Sequence, residues 1–245
     1  MKGRERIAAL TAYDFAMARV LDSVGIPLLL VGDSVGMVVL GYPDTTHVTQ
    51  AEMEHHVRAV ARAKPNALLA ADMPYRSYDT VEDALKNAKA LVAAGAEAIK
   101  AEGGRNILPQ VKAIIAAGIP FLGHLGMLPQ HVLEEGGYHI KGKQESERQD
   151  LIADAEALAD AGAFAIVLEL VTGPVAAEIT QRIPIPTIGI GSGNNRCDGE
   201  ILVTTDLLGT SPDYIPKHVK NNAHLGDQMR TAISGWKNGV LNPRK

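Results

Sequence analysis

Three acidic residues, Asp33, Asp72 and Glu102, each stand at the end of a short apolar run, at LLLV (28–31), LLAA (68–71) and the IKA of 99–101. They offer only hard oxygen atoms, and no Cys or His cluster stands at metal-ligand spacing. That donor set selects Mg²⁺ or Mn²⁺ over Zn²⁺. Such a site keeps open positions, which a 2-oxo acid can fill with its carboxylate and keto oxygens. The cation then acts as a Lewis acid and acidifies the adjacent C–H. Lys100 lies two residues before Glu102, so both side chains leave the strand on the same side. If Glu102 faces the mouth of a barrel, Lys100 lies one layer deeper and needs an anionic partner there. A substrate carboxylate or a neighbouring side-chain carboxylate would serve. Glu169 ends the apolar run AIVL (165–168), where desolvation would raise its pKa and suit it to act as a general base. The alternative is a capping or salt-bridged glutamate. Asp14, Ser34 and His124 also follow apolar runs, and His124 is assigned to orienting a substrate.

These residues need a scaffold that gathers strand ends. The chain repeatedly ends a helical stretch at a glycine and resumes as an apolar strand, at Gly25, Gly95, Gly118 and Gly162. Glycine there accepts the left-handed backbone that closes a helix. Strands apolar on both faces read as a parallel sheet covered by helices. Eight are expected, at about 6–12, 27–32, 67–72, 96–102, 119–123, 164–169, 186–191 and 200–205. Thr49 with Glu52 forms a capping box, Thr80 and Asp83 open another helix, and Gly173-Pro174 a third. Eight such strands in 245 residues favour a closed, single-domain (β/α)8 barrel over an open doubly wound sheet. In a barrel the strand ends converge on one mouth. Residues 219–240 form a C-terminal amphipathic helix, with Leu225, Met229, Ala232, Ile233 and Trp236 as a packing stripe.

Composition excludes several classes. A net charge of −4 gives no footprint for nucleic acid or an anionic membrane. The single cysteine, Cys197, rules out an intrachain disulfide and suits a reducing cytoplasm. No apolar run reaches the length of a bilayer span, and MKGRERIAAL does not read as a signal peptide. Gly189-Ile190-Gly191-Ser192-Gly193 fails the GxGxxG spacing and reads as close backbone packing. His55 and His56 lie mid-helix, with at least one exposed or packing. Segment 134–148 is a lid or a surface loop.

The stretches LTAYDFAMA (10–18), LLVGDSVGMVVLGY (29–42), VTQAEMEHHVRAVAR (48–62), LLAADMPY (68–75), IKAEGG (99–104), GHLGMLPQ (123–130), GGYHIKG (136–142), IVLELV (166–171), PTIGIGSG (186–193), CDGEILV (197–203) and IPKHVKNN (215–222) resemble the ketopantoate hydroxymethyltransferase family, in family order and over nearly the whole chain. The resemblance implies a barrel of the phosphoenolpyruvate mutase/isocitrate lyase superfamily. It implies transfer of a hydroxymethyl unit from 5,10-methylenetetrahydrofolate to 3-methyl-2-oxobutanoate through a Mg²⁺-stabilised enolate. The products would be 2-dehydropantoate and tetrahydrofolate, on the route to pantothenate and coenzyme A. It carries over Asp33, Asp72 and Glu102 as metal ligands, Ser34, Lys100 and the two aspartates as substrate contacts, and Glu169 as proton acceptor. A homo-oligomer, commonly a decamer, is implied as well. The chain departs from the family pattern at His139 and Lys141, in the 194–196 loop and at Thr205. A lyase or mutase of the same superfamily would ordinarily use a lid cysteine, which 134–148 lacks. A silent binding barrel would not need the complete set of carboxylates, lysine and serine.

Overall fold

In a computed structural model that describes residues 2–193, 195–210, 216–219 and 223–242, eight parallel strands close into a barrel in sequence order. They are β1 (Ile7–Thr11), β2 (Leu28–Val31), β3 (Leu68–Asp72), β4 (Ala98–Glu102), β5 (Phe121–Gly126), β6 (Ala165–Glu169), β7 (Thr187–Ile190) and β8 (Gly199–Leu202). All eight expected strands are present, and the eighth is shorter than EILVTT suggested. Helices α1 (Phe15–Ser23), α2 (Gln50–Ala61), α3 (Val81–Ala94), α4 (Leu108–Ala116), α5 (Glu145–Asp160) and α6 (Gly173–Arg182) connect the first seven strands.

The local signals act as expected. The Thr49 hydroxyl and Glu52 carboxylate cap α2 reciprocally. Thr80 accepts from the Asp83 N–H at the start of α3. At the other end of α3, Gly95 adopts φ 119° and passes the chain directly to β4.

Strand alternation divides the core in two. Leu29, Val31, Leu69, Ile99 and Ile166 point outward and pack under the helices. Leu28, Leu30, Leu122, Val167 and Ile188 point inward and fill the lower barrel. The chain divides by its contacts into two units, Met1–Ile201 and Leu202–Lys245. The second holds α7 (Thr204–Leu208) and α8 (Leu225–Leu241). Helix α8 matches the expected C-terminal helix, but its stripe is not packed. Met229, Ile233 and Trp236 are each more than half exposed, so amphipathic spacing alone did not indicate burial. Of the quoted IPKHVKNN motif, Ile215 and 220–222 lie outside the described residues, as does Asn194.

Candidate active site

The barrel mouth collects the exits of β2 to β6. Asp72 is the last residue of β3 and sits opposite Lys100 in the β3–β4 register. Glu102 ends β4 opposite His124 of β5. Glu169 ends β6 opposite Gly126. Asp33 and Ser34 lie just past β2, before a single π-helical turn at Gly36–Leu40. Such turns recur where a backbone is bent to serve a site.

Asp33, Asp72, Lys100, Glu102 and His124 are all buried, whereas Glu169 keeps 15% of its side chain open. Lys100 Nζ donates to Asp72 Oδ1 at 2.6 Å, so of the two alternatives for its anionic partner the neighbouring side-chain carboxylate is the one present. Asp72 Oδ2 accepts the Asp33 backbone N–H at 3.1 Å. The imidazole of His124 lies between two carboxylates, with Nδ1 3.5 Å from Glu102 Oε1 and Nε2 3.3 Å from Glu169 Oε2. Neither contact has hydrogen-bond geometry. Both ring nitrogens and Glu102 Oε1 therefore stand buried without a hydrogen-bond partner. Orphaned buried polar atoms are uncommon and mark places where a further group belongs. Ser34 Oγ is 2.9 Å from the Tyr13 hydroxyl.

Four carboxylates thus face one lysine, and burial works against every charge. Burial first, and the charge of Asp72 second, push Asp33 up to about 7, against the lowering pull of Lys100 and Gln130. Burial and Asp33 raise Glu102 well above the usual carboxylate range. Burial lifts Glu169 to about 8, Lys100 opposes this, and Asp33 and Asp72 add to it. Burial and the charge of Lys100 hold His124 far below its ordinary value, so its ring is neutral. For Lys100, burial favours loss of the proton, but Asp72, Asp33 and Glu102 more than offset it and raise the pKa.

Not every polar strand end joins the site. Asp14 is exposed and caps α1 by accepting from the Met17 N–H at 2.8 Å, which is the structural role open to any acid after a strand. His55 is exposed, and His56 Nδ1 meets the Tyr13 carbonyl oxygen at 2.7 Å. Cys197 is buried and unpaired. Ser192 is buried as well, donating to Leu168 O and accepting from Val171 N–H. Of segment 134–148, residues 145–148 are not loop but the first turn of α5, and the remainder is tied at Lys141 to the exit of β6, through Lys141 N to Leu170 O and Thr172 N to Lys141 O. Residues missed by sequence reasoning are Gln130 and Tyr78, both buried beside Asp33 and Glu102.

A family model described as ketopantoate hydroxymethyltransferase matches residues 1–244. The chain belongs to the ketopantoate hydroxymethyltransferase family. It is 53% identical to the 3-methyl-2-oxobutanoate hydroxymethyltransferase of Clostridium botulinum, over 95% of this chain and 84% of the relative. The protein of the same name from Syntrophus aciditrophicus is 49% identical, over 98% of this chain and 89% of the relative. Among solved structures, a 2,3-dimethylmalate lyase of the PEP mutase/isocitrate lyase superfamily overlays with a TM-score of 0.65. It covers 98% of this chain and 85% of that one, at 18% identity. A phosphonopyruvate hydrolase overlays with a TM-score of 0.62, over 94% and 93% of the two chains, at 13% identity. At those identities the overlays bear on the fold alone. In this member of the ketopantoate hydroxymethyltransferase family, the acid that ends β6 and the acids of β2, β3 and β4 meet around one histidine and one lysine. Among the described residues no three Asp, Glu, His or Cys side chains form a ready-made metal cage, and no helix is long and apolar enough to cross a membrane.

Proposed function

We propose that the protein transfers a one-carbon unit from 5,10-methylenetetrahydrofolate to 3-methyl-2-oxobutanoate. With one water consumed, the products are 2-dehydropantoate and tetrahydrofolate. The observation that carries this reading is the buried excess of carboxylate at the mouth, with a partly open glutamate of near-neutral pKa at its edge.

The donor set fits Mg²⁺ or Mn²⁺. Asp33 and Asp72 would hold the ion directly, and Glu102, whose Oε1 has no partner, would reach it through water. Magnesium sites of one or two carboxylates completed by water and substrate are the usual kind. When bound, the cation supplies a Lewis acid to the keto oxygen of the substrate.

The chain's own residues do the rest. Lys100 stays protonated and, with Ser34, binds the carboxylate end of the oxo acid. Glu169 removes the proton from C3. Desolvation makes its carboxylate a stronger base than in water, and a pKa near the working pH favours both halves of proton transfer. Neutral His124, whose two buried ring nitrogens have no hydrogen-bond partner among the side chains around it, orients the bound substrate. The freed electron pair at C3 attacks the methylene carbon of the folate, forming the C–C bond as one of that carbon's two C–N bonds breaks. Water then displaces the second nitrogen and leaves its hydroxyl on the carbon, and the two folate nitrogens take up the proton lost from C3 and one from the water. We also propose a cytoplasmic homo-oligomer, a decamer by family resemblance, and one folding domain over 1–245.

The test is proton exchange. The protein is incubated with Mg²⁺ and 3-methyl-2-oxobutanoate in D₂O, without folate, and the C3 proton is followed by NMR. Loss of that signal, abolished by EDTA, is expected. A signal that persists would remove the proton-abstraction step, and absence of 2-dehydropantoate on adding the folate would remove the donor.

A further inference from the structure

Gln130 has no part in the proposed chemistry, yet it is hydrogen-bonded to Asp33, Met73, Tyr78 and Glu102 at the mouth. It sits in the short 3₁₀ turn Pro129–His131 after β5 and is 2% exposed. Its Nε2 donates to Asp33 Oδ2 at 2.7 Å and to Met73 O at 2.9 Å. Its Oε1 accepts from the Tyr78 hydroxyl at 2.6 Å. Its backbone N–H donates to Glu102 Oε2 at 3.0 Å. Tyr78, also buried, lies 3.3 Å from Glu102 O.

One residue therefore holds two carboxylates from different strands, and with different atoms. The side-chain amide fixes Asp33, and the main chain fixes Glu102. The amide cannot turn over, because its oxygen would then face the Asp33 carboxylate and the Met73 carbonyl. In that orientation the amide oxygen meets the Tyr78 hydroxyl on its other side. The bonds leave each carboxylate able to accept more. Glu102 Oε1 in particular stays without a partner. That is the pattern of an outer residue that aims ligands without consuming them.

We propose that Gln130, held by Tyr78, is a positioning residue that sets Asp33 and Glu102 for the divalent cation. It rests on the metal reading given under Proposed function.

The full-length protein is titrated with Mn²⁺ without substrate, and free ion is followed by EPR. Variants are Gln130→Met, which removes the Asp33 arm but keeps the N–H to Glu102, Gln130→Glu, which sets an acceptor against two acceptors, and the milder Tyr78→Phe, which keeps the ring. Loss of an outer-shell partner ordinarily weakens metal binding by about 10–100-fold, so that range is expected for both Gln130 variants, with a smaller loss for Tyr78→Phe. Turnover of Gln130→Met should recover in part as Mg²⁺ is raised, which a purely structural defect would not do. Wild-type affinity in Tyr78→Phe together with wild-type affinity in whichever Gln130 variants fold would overturn the assignment and leave the metal reading standing. If Gln130 variants do not fold, unchanged affinity in Tyr78→Phe alone overturns it. A wild-type protein that binds no Mn²⁺ removes both.

Discussion

Along β4 the inward side chains run Ala98, Lys100, Glu102, and along β6 they run Ala165, Val167, Glu169. The strands and their alternation are the same, yet the lower and upper halves of the barrel interior obey opposite rules. Below, Leu28, Leu30, Leu122 and Val167 close on one another as an apolar cluster, and burial there favours folding. One layer higher, burial forces carboxylates together against a single lysine, and desolvating such charges opposes folding. The upper layer persists because the lower one supports it. Substitutions in the two layers should consequently err in opposite directions, costing activity above and stability below.

The largest effect expected is that of Glu169→Gln. Positioned proton transfer contributes about 10²–10⁴-fold, so turnover should fall by that factor while binding of the oxo acid persists. The same variant should unfold at an equal or higher temperature, since it removes a carboxyl group whose ionisation burial opposes in the folded protein but not in the unfolded chain. A variant that kept full turnover would take Glu169 out of the base role. One that lost stability instead would erase the contrast between layers.

Leu122→Ala probes the lower layer. Leu122 is fully buried inside the barrel, and such truncations cost about 2–5 kcal/mol. Urea unfolding should show that loss, and well below the new midpoint the surviving folded fraction should turn over normally. A large drop in turnover of the folded protein would mean that the layers are coupled.

A smaller effect sharpens the comparison through pH. Glu169 is raised from 4.5 to about 8 in the folded protein, so the unfolded chain releases this proton first as pH rises. Below about 4.5 both states hold it. Stability then declines up to about 8 and is flat beyond. Asp33, raised from 3.8 to about 7, acts in the same direction. Lys100 has a raised value, so its contribution is fully present throughout this window and cancels nothing. In EDTA the melting temperature should be lower at pH 8.5 than at pH 5, and saturating Mg²⁺ should narrow the gap. A gap indifferent to the metal would mean that the upper layer does not hold the cation.

The eight strands were legible in the sequence almost completely, because they follow from local rules, whereas which of their side chains fill the lower barrel was not read from it. Apolar runs, helix-ending glycines and capping pairs such as Thr49 with Glu52 each act within a few residues, and the eight strands follow from them. The acids of the upper layer were legible by type and by their place after a strand. That criterion also admitted Asp14, since a helix cap and a site ligand look alike until the fold separates them. Gln130 escaped because its partners lie up to 97 residues away in the chain, and a glutamine in LGMLPQ carries no spacing signal. Helix α8 failed the other way. Its 3.6-residue periodicity was real, but period states which side chains share a face, not what covers that face.

A primary amine beside a 2-oxo acid ordinarily invites condensation to an imine, the opening step of many aldolases. Lys100 is unsuited to that chemistry. Nucleophilic attack needs the free base, and Asp72 together with the neighbouring acids keeps the nitrogen as an ammonium. The ketone of the bound acid should remain a ketone throughout, and borohydride added to the complex should leave no covalent mark on the protein.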